Sequence, residues 1–262
     1  MKKLMYVAMI ALAFMACNQN SPELPKDEQK AAVLVSDSAF SLINQPLTTV
    51  HKALLDAGYK YVDPSKAADL PKRIFKDVIT DENRSYVMGM DPDSLESNAG
   101  TMYELNKAMK AGKNVEMVTV HFVDGKCVRI MTQIVVPVDF NVTEFFLNRT
   151  KAMSGALEAM PLKNFLWEGE VRTSDKKERA QYMQRDKYEA AVKGKKGIEV
   201  NEAATNIEYE PVKGFGFHAS LYVLSEEEEK EMNDAIKDHP GELMIIPYNV
   251  CDFIAADAQY IL

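Results

Sequence analysis

Four histidines, His51, His121, His218 and His239, are the side chains best suited to move a proton near neutral pH or to bind zinc. No two are close in sequence, and a zinc site needs several ligands to converge. His121 and His218 both fall in strand-like runs and could meet only if those strands adjoin. A structural histidine on a strand is the plainer reading. Glu168 with Glu170, and Glu208 with Glu210, alternate along strand-like sequence, which turns each pair to one face. Carboxylates facing each other across a cleft would suit glycoside hydrolysis. Sugar clefts lean on aromatic platforms, however, and the chain has a single tryptophan, Trp167. Polar outer positions of a sheet explain the alternation more simply.

The remaining candidates are weaker still. Asp91, Asp93 and Glu96 in DPDSLE lack the roughly 12-residue spacing and terminal bidentate Glu of a helix-loop-helix calcium site, and read as a turn and helix cap. Glu226 to Glu229 are acids at a helix start, where the dipole favours them. No Walker loop, Gly-x-Ser-x-Gly elbow, His-Glu-x-x-His or Cys-x-x-Cys occurs. The Gly-x-Gly of KGFGFHA lacks the third glycine and the strand-to-helix setting of a dinucleotide site. No catalytic residue, metal site or cofactor is expected.

The N-terminus carries a clearer message. Lys2 and Lys3 precede an unbroken apolar run, Leu4 to Ala16, which is shorter than the roughly 20 residues a spanning helix needs. It ends in Phe14-Met15-Ala16-Cys17. This resembles the lipobox of bacterial lipoproteins, although Phe14 and Met15 depart from the usual Leu and small residue. The resemblance implies cleavage before Cys17, a diacylglyceryl group on its thiol and an acyl chain on its amine. Lipidation of that extent is enough for stable anchoring. Asn18, rather than the Asp that retains many lipoproteins at the inner membrane, favours the outer one. The competing reading is ordinary secretion, with cleavage after Ala11-Leu12-Ala13 and Cys17 as a bystander.

Without residues 1–16 the chain has 246 residues and a formal charge of −10, the −8 of the whole less Lys2 and Lys3. Such an acidic surplus argues against nucleic-acid binding and against adhesion to anionic headgroups. The lipid would have to anchor the chain alone. Cys127 and Cys251 could form a disulfide closing a loop of more than 120 residues in an oxidising compartment. Two separate buried thiols are the alternative. Asp37-Ser38-Ala39 and Asp93-Ser94-Leu95 resemble the sequon by which some Gram-negative lineages O-glycosylate exported proteins, which would modify Ser38 and Ser94. Asn141-Val142-Thr143 and Asn148-Arg149-Thr150 fit the N-linked pattern, but in bacterial export read as helix-cap and surface residues.

What could position these residues is an α+β domain. Residues 17–45 read as lipidated cysteine and flexible tether, with Pro22 and Pro25 in a polar run. Helical spacing appears in PLTTVHKALLDAG, NAGTMYELNKAMKAGK, NVTEFFLNRTKAMSGALEAM and SDKKERAQYMQRDKYEAAVKG. The apolar stripe of the third is Phe145, Phe146, Met153, Leu157 and Met160. Ser225 with Glu228 forms a capping box that opens SEEEEKEMNDAIKDH. Asp124-Gly125 joins two β-rich runs as a type I′ hairpin. Its register would set Phe122 opposite Cys127, His121 opposite Val128 and Val120 opposite Arg129. Val118, Val120, Phe122, Cys127 and Met131 would then share the core face, with Thr119, His121, Val128 and Ile130 on the other. Further strands are expected in SYVMGM, NFLWEGEVR, NIEYEPV, GFHASLYVL and ELMIIPYNVCDFIA.

The expected architecture is therefore α+β: a mixed or antiparallel sheet with a hairpin, packed by several amphipathic helices over 46–262. Subdomains 46–138 and 139–262 could share that sheet. The expected function is a lipid-anchored envelope lipoprotein acting as a non-catalytic binding or accessory module. It would bind the membrane through its N-terminal lipid and engage an envelope protein or small ligand. The alternative is an envelope hydrolase whose carboxylates or histidines meet only in the fold.

Overall fold

Six helices and nine strands are described in the computed structural model, which covers residues 39–62, 82–93, 98–161, 164–206, 214–238 and 247–261, with backbone alone at Asn98, Ala99, Met102 and Ile236. Cys17, Ser38, Ser94, Glu96, Glu208, Glu210 and His239 lie outside the described residues. The chain begins with α1 (Ala39–Leu42) and α2 (Leu47–Asp56), then β1 (Lys60–Val62) and β2 (Glu82–Met88). Pro46 sits at the N-cap of α2, and Gly58 takes the positive φ of 91° that turns the chain toward β1. After α3 (Asn98–Lys110) come β3 (Val115–Val123) and β4 (Lys126–Pro137).

The second half opens with α4 (Val142–Glu158), capped by the Asn141 side chain, which accepts from the Glu144 amide. It continues through β5 (Phe165–Thr173), β6 (Arg179–Tyr182), α5 (Arg185–Val192), β7 (Ile198–Asn206) and β8 (Phe215–Val223). The Ser225 hydroxyl accepts from the Glu228 amide and the Glu228 carboxylate accepts from the Ser225 amide, the reciprocal box that starts α6 (Glu226–Asp238). Strand β9 (Tyr248–Asp257) and a 3₁₀ turn (Ala258–Tyr260) close the described chain.

All nine strands form one antiparallel sheet in the order β1-β2-β3-β4-β9-β8-β7-β5-β6, so the class is α+β. The pairing of β4 with β9 joins the strands of the first half to those of the second. Buried residues of α1, α2, α4 and α5 cluster with one face of the sheet, which includes Val120, Phe122, Ile130, Ile134, Leu221 and Phe253. A smaller cluster packs Leu105, Ala108 and Met109 of α3 on the other face, against Val87, Met117, Val135 and Val250.

Asp124 and Gly125 have φ of 50° and 69°, as a two-residue turn with both centres left-handed requires. Phe122 pairs with Cys127, but His121 then pairs with Arg129 and Val120 with Ile130. Val128 is the extra residue of a bulge. Because side chains alternate with period two, one inserted residue reverses every later facing on that strand. Ile130 thus joins the helix-covered core and Met131 turns away, opposite to expectation.

The Cys127–Cys251 disulfide is corrected by the same register. Cys251 pairs with Ile134, seven residues along β4 from Cys127. Seven positions at about 3.4 Å each put the Cα atoms roughly 24 Å apart, against the ~7 Å a bridge tolerates. Both are free, buried thiols. The charged helix expected from Ser174 onward is also shorter. Asp175 ties a turn by accepting from the Thr173 hydroxyl (2.6 Å) and the Lys177 amide (3.1 Å), and residues Arg179–Tyr182 then pair with β5.

Candidate functional site

Helix α4 carries its buried side on Thr143, Phe146, Leu147, Thr150, Met153 and Leu157, the i, i+3, i+4 rhythm of a helix laid on a sheet. Arg149 falls within that stripe, three residues after Phe146 and four before Met153, and is only 3% exposed. Its guanidinium carbon lies 5.4 Å from the Phe145 ring centre and 5.3 Å from that of Phe253. Those two ring centres are 6.3 Å apart with planes at 80°, so they form one aromatic corner against the cation. Aromatic faces attract a cation but do not satisfy its N–H edges. Among the described residues Nε, Nη1 and Nη2 are all buried and find no acceptor.

A buried acid, Glu116 on β3, is 6% exposed, and its Oε2 accepts the Tyr59 hydroxyl at 2.7 Å. Glu116, Ile134 and Cys251 are register partners across β3, β4 and β9, so Glu116 and Cys251 lie about two strand spacings, roughly 10 Å, apart on the core face. Burial first, then Glu116, pushes the Tyr59 hydroxyl well above its usual range, while Arg149 opposes. Burial, then Asp252, pushes the Cys251 thiol up, with Arg149 again opposing and Glu116 adding. Among the described residues Arg149 makes no ion pair with Glu116, and its guanidinium nitrogens are without any hydrogen-bond partner.

A second buried group, between α4, α5, β5 and β7, is partly paired, with Glu202 Oε2 and the Tyr188 hydroxyl buried without a partner among the described residues. Glu202 Oε1 accepts from Trp167 Nε1 (2.8 Å) and Arg185 Nη2 (2.9 Å). Arg185 also donates to the Thr150 hydroxyl (3.1 Å) and to Glu189 (2.9 Å). Burial raises the Glu202 pKa against Arg185, Trp167 and Thr150, which lower it. The Arg185 and Trp167 donors thus clasp the helices to the sheet.

On the opposite face, the two strand histidines do not meet. Strands β4 and β9 lie between β3 and β8, so three strand spacings, roughly 14 Å, separate the lines of His121 and His218. Burial, then the charge of Arg129, lowers both, His121 to about 4. Asp252 on the same face accepts from Gln133 Nε2 at 2.9 Å, and burial raises it to about 6 against that hydrogen bond. Glu168 and Glu170 share that face too, but Glu168 is exposed and Glu170 is engaged by Arg172 and Arg179. They are ordinary outer-face residues.

His51 on α2 lies elsewhere, with Nδ1 3.0 Å from the Tyr86 hydroxyl and its ring edge-on to Tyr61. Burial, then Arg84, lowers its pKa. The Asp91–Asp93 stretch is a turn in which Asp91 Oδ1 accepts from the Asp93 amide. Among the described residues no group of three His, Cys, Asp or Glu could hold a metal, and no helix is long and apolar enough to cross a membrane. Sequence reasoning passed over Arg149, naming it only within an Asn-x-Thr triplet. The signal available was its position in the helical stripe, where a charge breaks an otherwise apolar or small-polar run. Comparison with known protein families, curated proteins and solved structures gave no match.

Proposed function

We propose that the chain is a lipid-anchored lipoprotein of the bacterial envelope, placed at the outer membrane, whose domain is a non-catalytic binding module. Its amphipathic helices would frame a ligand site on the sheet. The observation that carries the binding half is Arg149: a guanidinium in the core with its N–H edges unaccepted is a recognition group awaiting an acceptor. An uncompensated buried charge costs several kcal/mol, so a fold that keeps one gains from the ligand that completes it. The address rests on Lys2 to Cys17 and its resemblance to a lipobox. A hydrolase draws no support from His121 and His218, which β4 and β9 hold apart.

Native and denaturing mass spectrometry of detergent-extracted protein tests both halves together. The denatured mass should equal residues 17–262 plus a diacylglyceryl group and an amide-linked acyl chain, with any sugar at Ser38 or Ser94 as hexose-sized increments. Under native conditions a further small-molecule mass should appear, and should vanish in Arg149→Met. An unlipidated chain would refute the anchor; a native mass equal to the denatured one would refute the bound ligand.

A further inference from the structure

We infer that His51 is a proton-sensitive latch: neutral, it fastens α2 to the β1–β2 edge of the sheet, and protonated, it loosens that corner. The inference needs no ligand and stands apart from the binding reading. Period two along β2 puts Glu82, Arg84 and Tyr86 on one side of the strand, the side whose core Tyr86 shares with Val50 and Leu54 of α2. Val50 and Leu54 are fully buried, and His51 between them is half-buried. It meets Tyr86 with Nδ1 3.0 Å from the hydroxyl. The rings of His51, Tyr61 and Tyr86 stand 5.4, 5.8 and 5.5 Å apart in pairs, so α2, β1 and β2 come together at this one cluster.

The hydrogen bond has a direction. Tyr86 is 0% exposed, and burial pushes its hydroxyl up, with Arg84 opposing, so the phenol keeps its proton and must donate it. Among the described residues its acceptor is His51 Nδ1. A neutral imidazole has one lone pair for that bond, and an imidazolium has none, because both its nitrogens donate. Protonation would leave the buried O–H without an acceptor, which is the costly way to lose a hydrogen bond.

The surrounding charges act in the same sense. The Arg84 guanidinium lies 5.4 Å from the centre of the Tyr61 ring, which His51 meets edge-on. Glu82 is already engaged, accepting from Arg84 Nε at 2.6 Å, and Glu116 of β3 accepts from Tyr59. On α2 itself Lys52 and Asp56 pair with each other. Lys60 of β1 alternates to the side opposite Tyr61, and Lys126 of β4 bridges Pro46 at the helix start. Burial, then Arg84, lowers the His51 pKa from its ordinary 6.5. A base with a lowered docked pKa binds its proton better when undocked. The latch is therefore closed above 6.5 and is lost as pH falls from there through the docked value.

The test is hydrogen exchange of the full chain in detergent, read by mass spectrometry at about pH 7.5 and about pH 5, with labelling times scaled to the intrinsic rate at each pH. Protection over residues 47–62 should fall roughly fivefold on acidification, the worth of one net hydrogen bond, while β4 at the centre of the sheet changes less. In His51→Gln, which keeps an acceptor but takes no charge, the fall should vanish. In Tyr86→Phe it should shrink, with protection already reduced at the higher pH. No fall over residues 47–62, or an equal fall in β4, overturns the latch, and so does an unchanged fall in His51→Gln. The imidazole titration, followed by NMR in the natural chain, decides the matter even if a variant fails to fold. It should lie below 6.5 and move up in Arg84→Met; a value at or above 6.5 in the natural chain overturns the latch.

Discussion

A guanidinium needs up to five acceptors, and in water it has them. Arg149 instead has two phenyl rings and, among the described residues, no hydrogen-bond acceptor. The rings return part of the cost, about 0.5–2 kcal/mol as cation–π attraction. Buried acids and buried histidines make opposite pH contributions. Asp252 is raised to about 6, so the folded state holds a proton through a range where the unfolded chain has released it. That contribution is greatest at acid pH and is lost as pH rises from about 4 to 6. Burial raises Glu202 as well, which adds in the same sense. His121, lowered to about 4, stays neutral when folded while the unfolded chain gains a proton below about 6.5, so its contribution is lost as pH falls from 6.5 to 4. The terms oppose one another, at up to about 3 kcal/mol each. Stability measured by urea unfolding should therefore vary little from pH 6 to 4 in the natural chain. In Asp252→Asn it should fall steadily over that range, and a flat profile in that variant would exclude Asp252 as the compensating group. None of this was visible in sequence, because a strand aspartate and a strand histidine look alike wherever the sheet is covered.

At the scale of elements, local signals and tertiary pairing contributed differently. Pro46, the Ser225–Glu228 box and the left-handed Asp124–Gly125 turn act over a few residues, and each could be read directly. The bulge at Val128 could not, because it depends on how β4 is held by β9 as well as by β3. Strand β7 was largely missed for a related reason. Its sequence, IEVNEAATN, is polar at alternate positions and weak in β-formers, and the strand exists because β5 and β8 pair on either side. Gly169 on β5 shows a constraint of the same non-local kind. A Cβ there would come within 2.5 Å of the ring of Tyr188, a fully buried side chain of α5. Gly169→Ala should therefore lower stability by about 1–3 kcal/mol, through overpacking. Gly155 on α4 has nothing within 4 Å of the same added atom, and Gly155→Ala should raise stability by up to about 1 kcal/mol. Denaturant midpoints of the two variants check this pair; a neutral Gly169→Ala would mean that α5 is free to move off the sheet.

For the whole molecule, the nine-stranded antiparallel sheet brings together residues that are far apart in sequence. Tyr59 and Glu116 are joined by a hydrogen bond across 57 residues, and Arg149 of α4 meets Phe253 of β9 across more than 100. Alternation of helical and strand-like runs made the α+β class readable, whereas the strand order and the continuity through β4 and β9 depend on pairings with no local signature. The same distinction governs the cysteines: their apolar surroundings predicted burial, but their register excludes a bridge. A binding role requires that Arg149 be kept for a ligand rather than for the fold. Its most direct test is the unfolding free energy of ligand-free protein with and without Arg149→Met, a side chain of similar length that retains contact with the rings. If the charge is uncompensated in the empty protein, Arg149→Met should be more stable by about 1–4 kcal/mol. A variant that loses about 2 kcal/mol or more would show that Arg149 holds the fold together, contradicting the binding account.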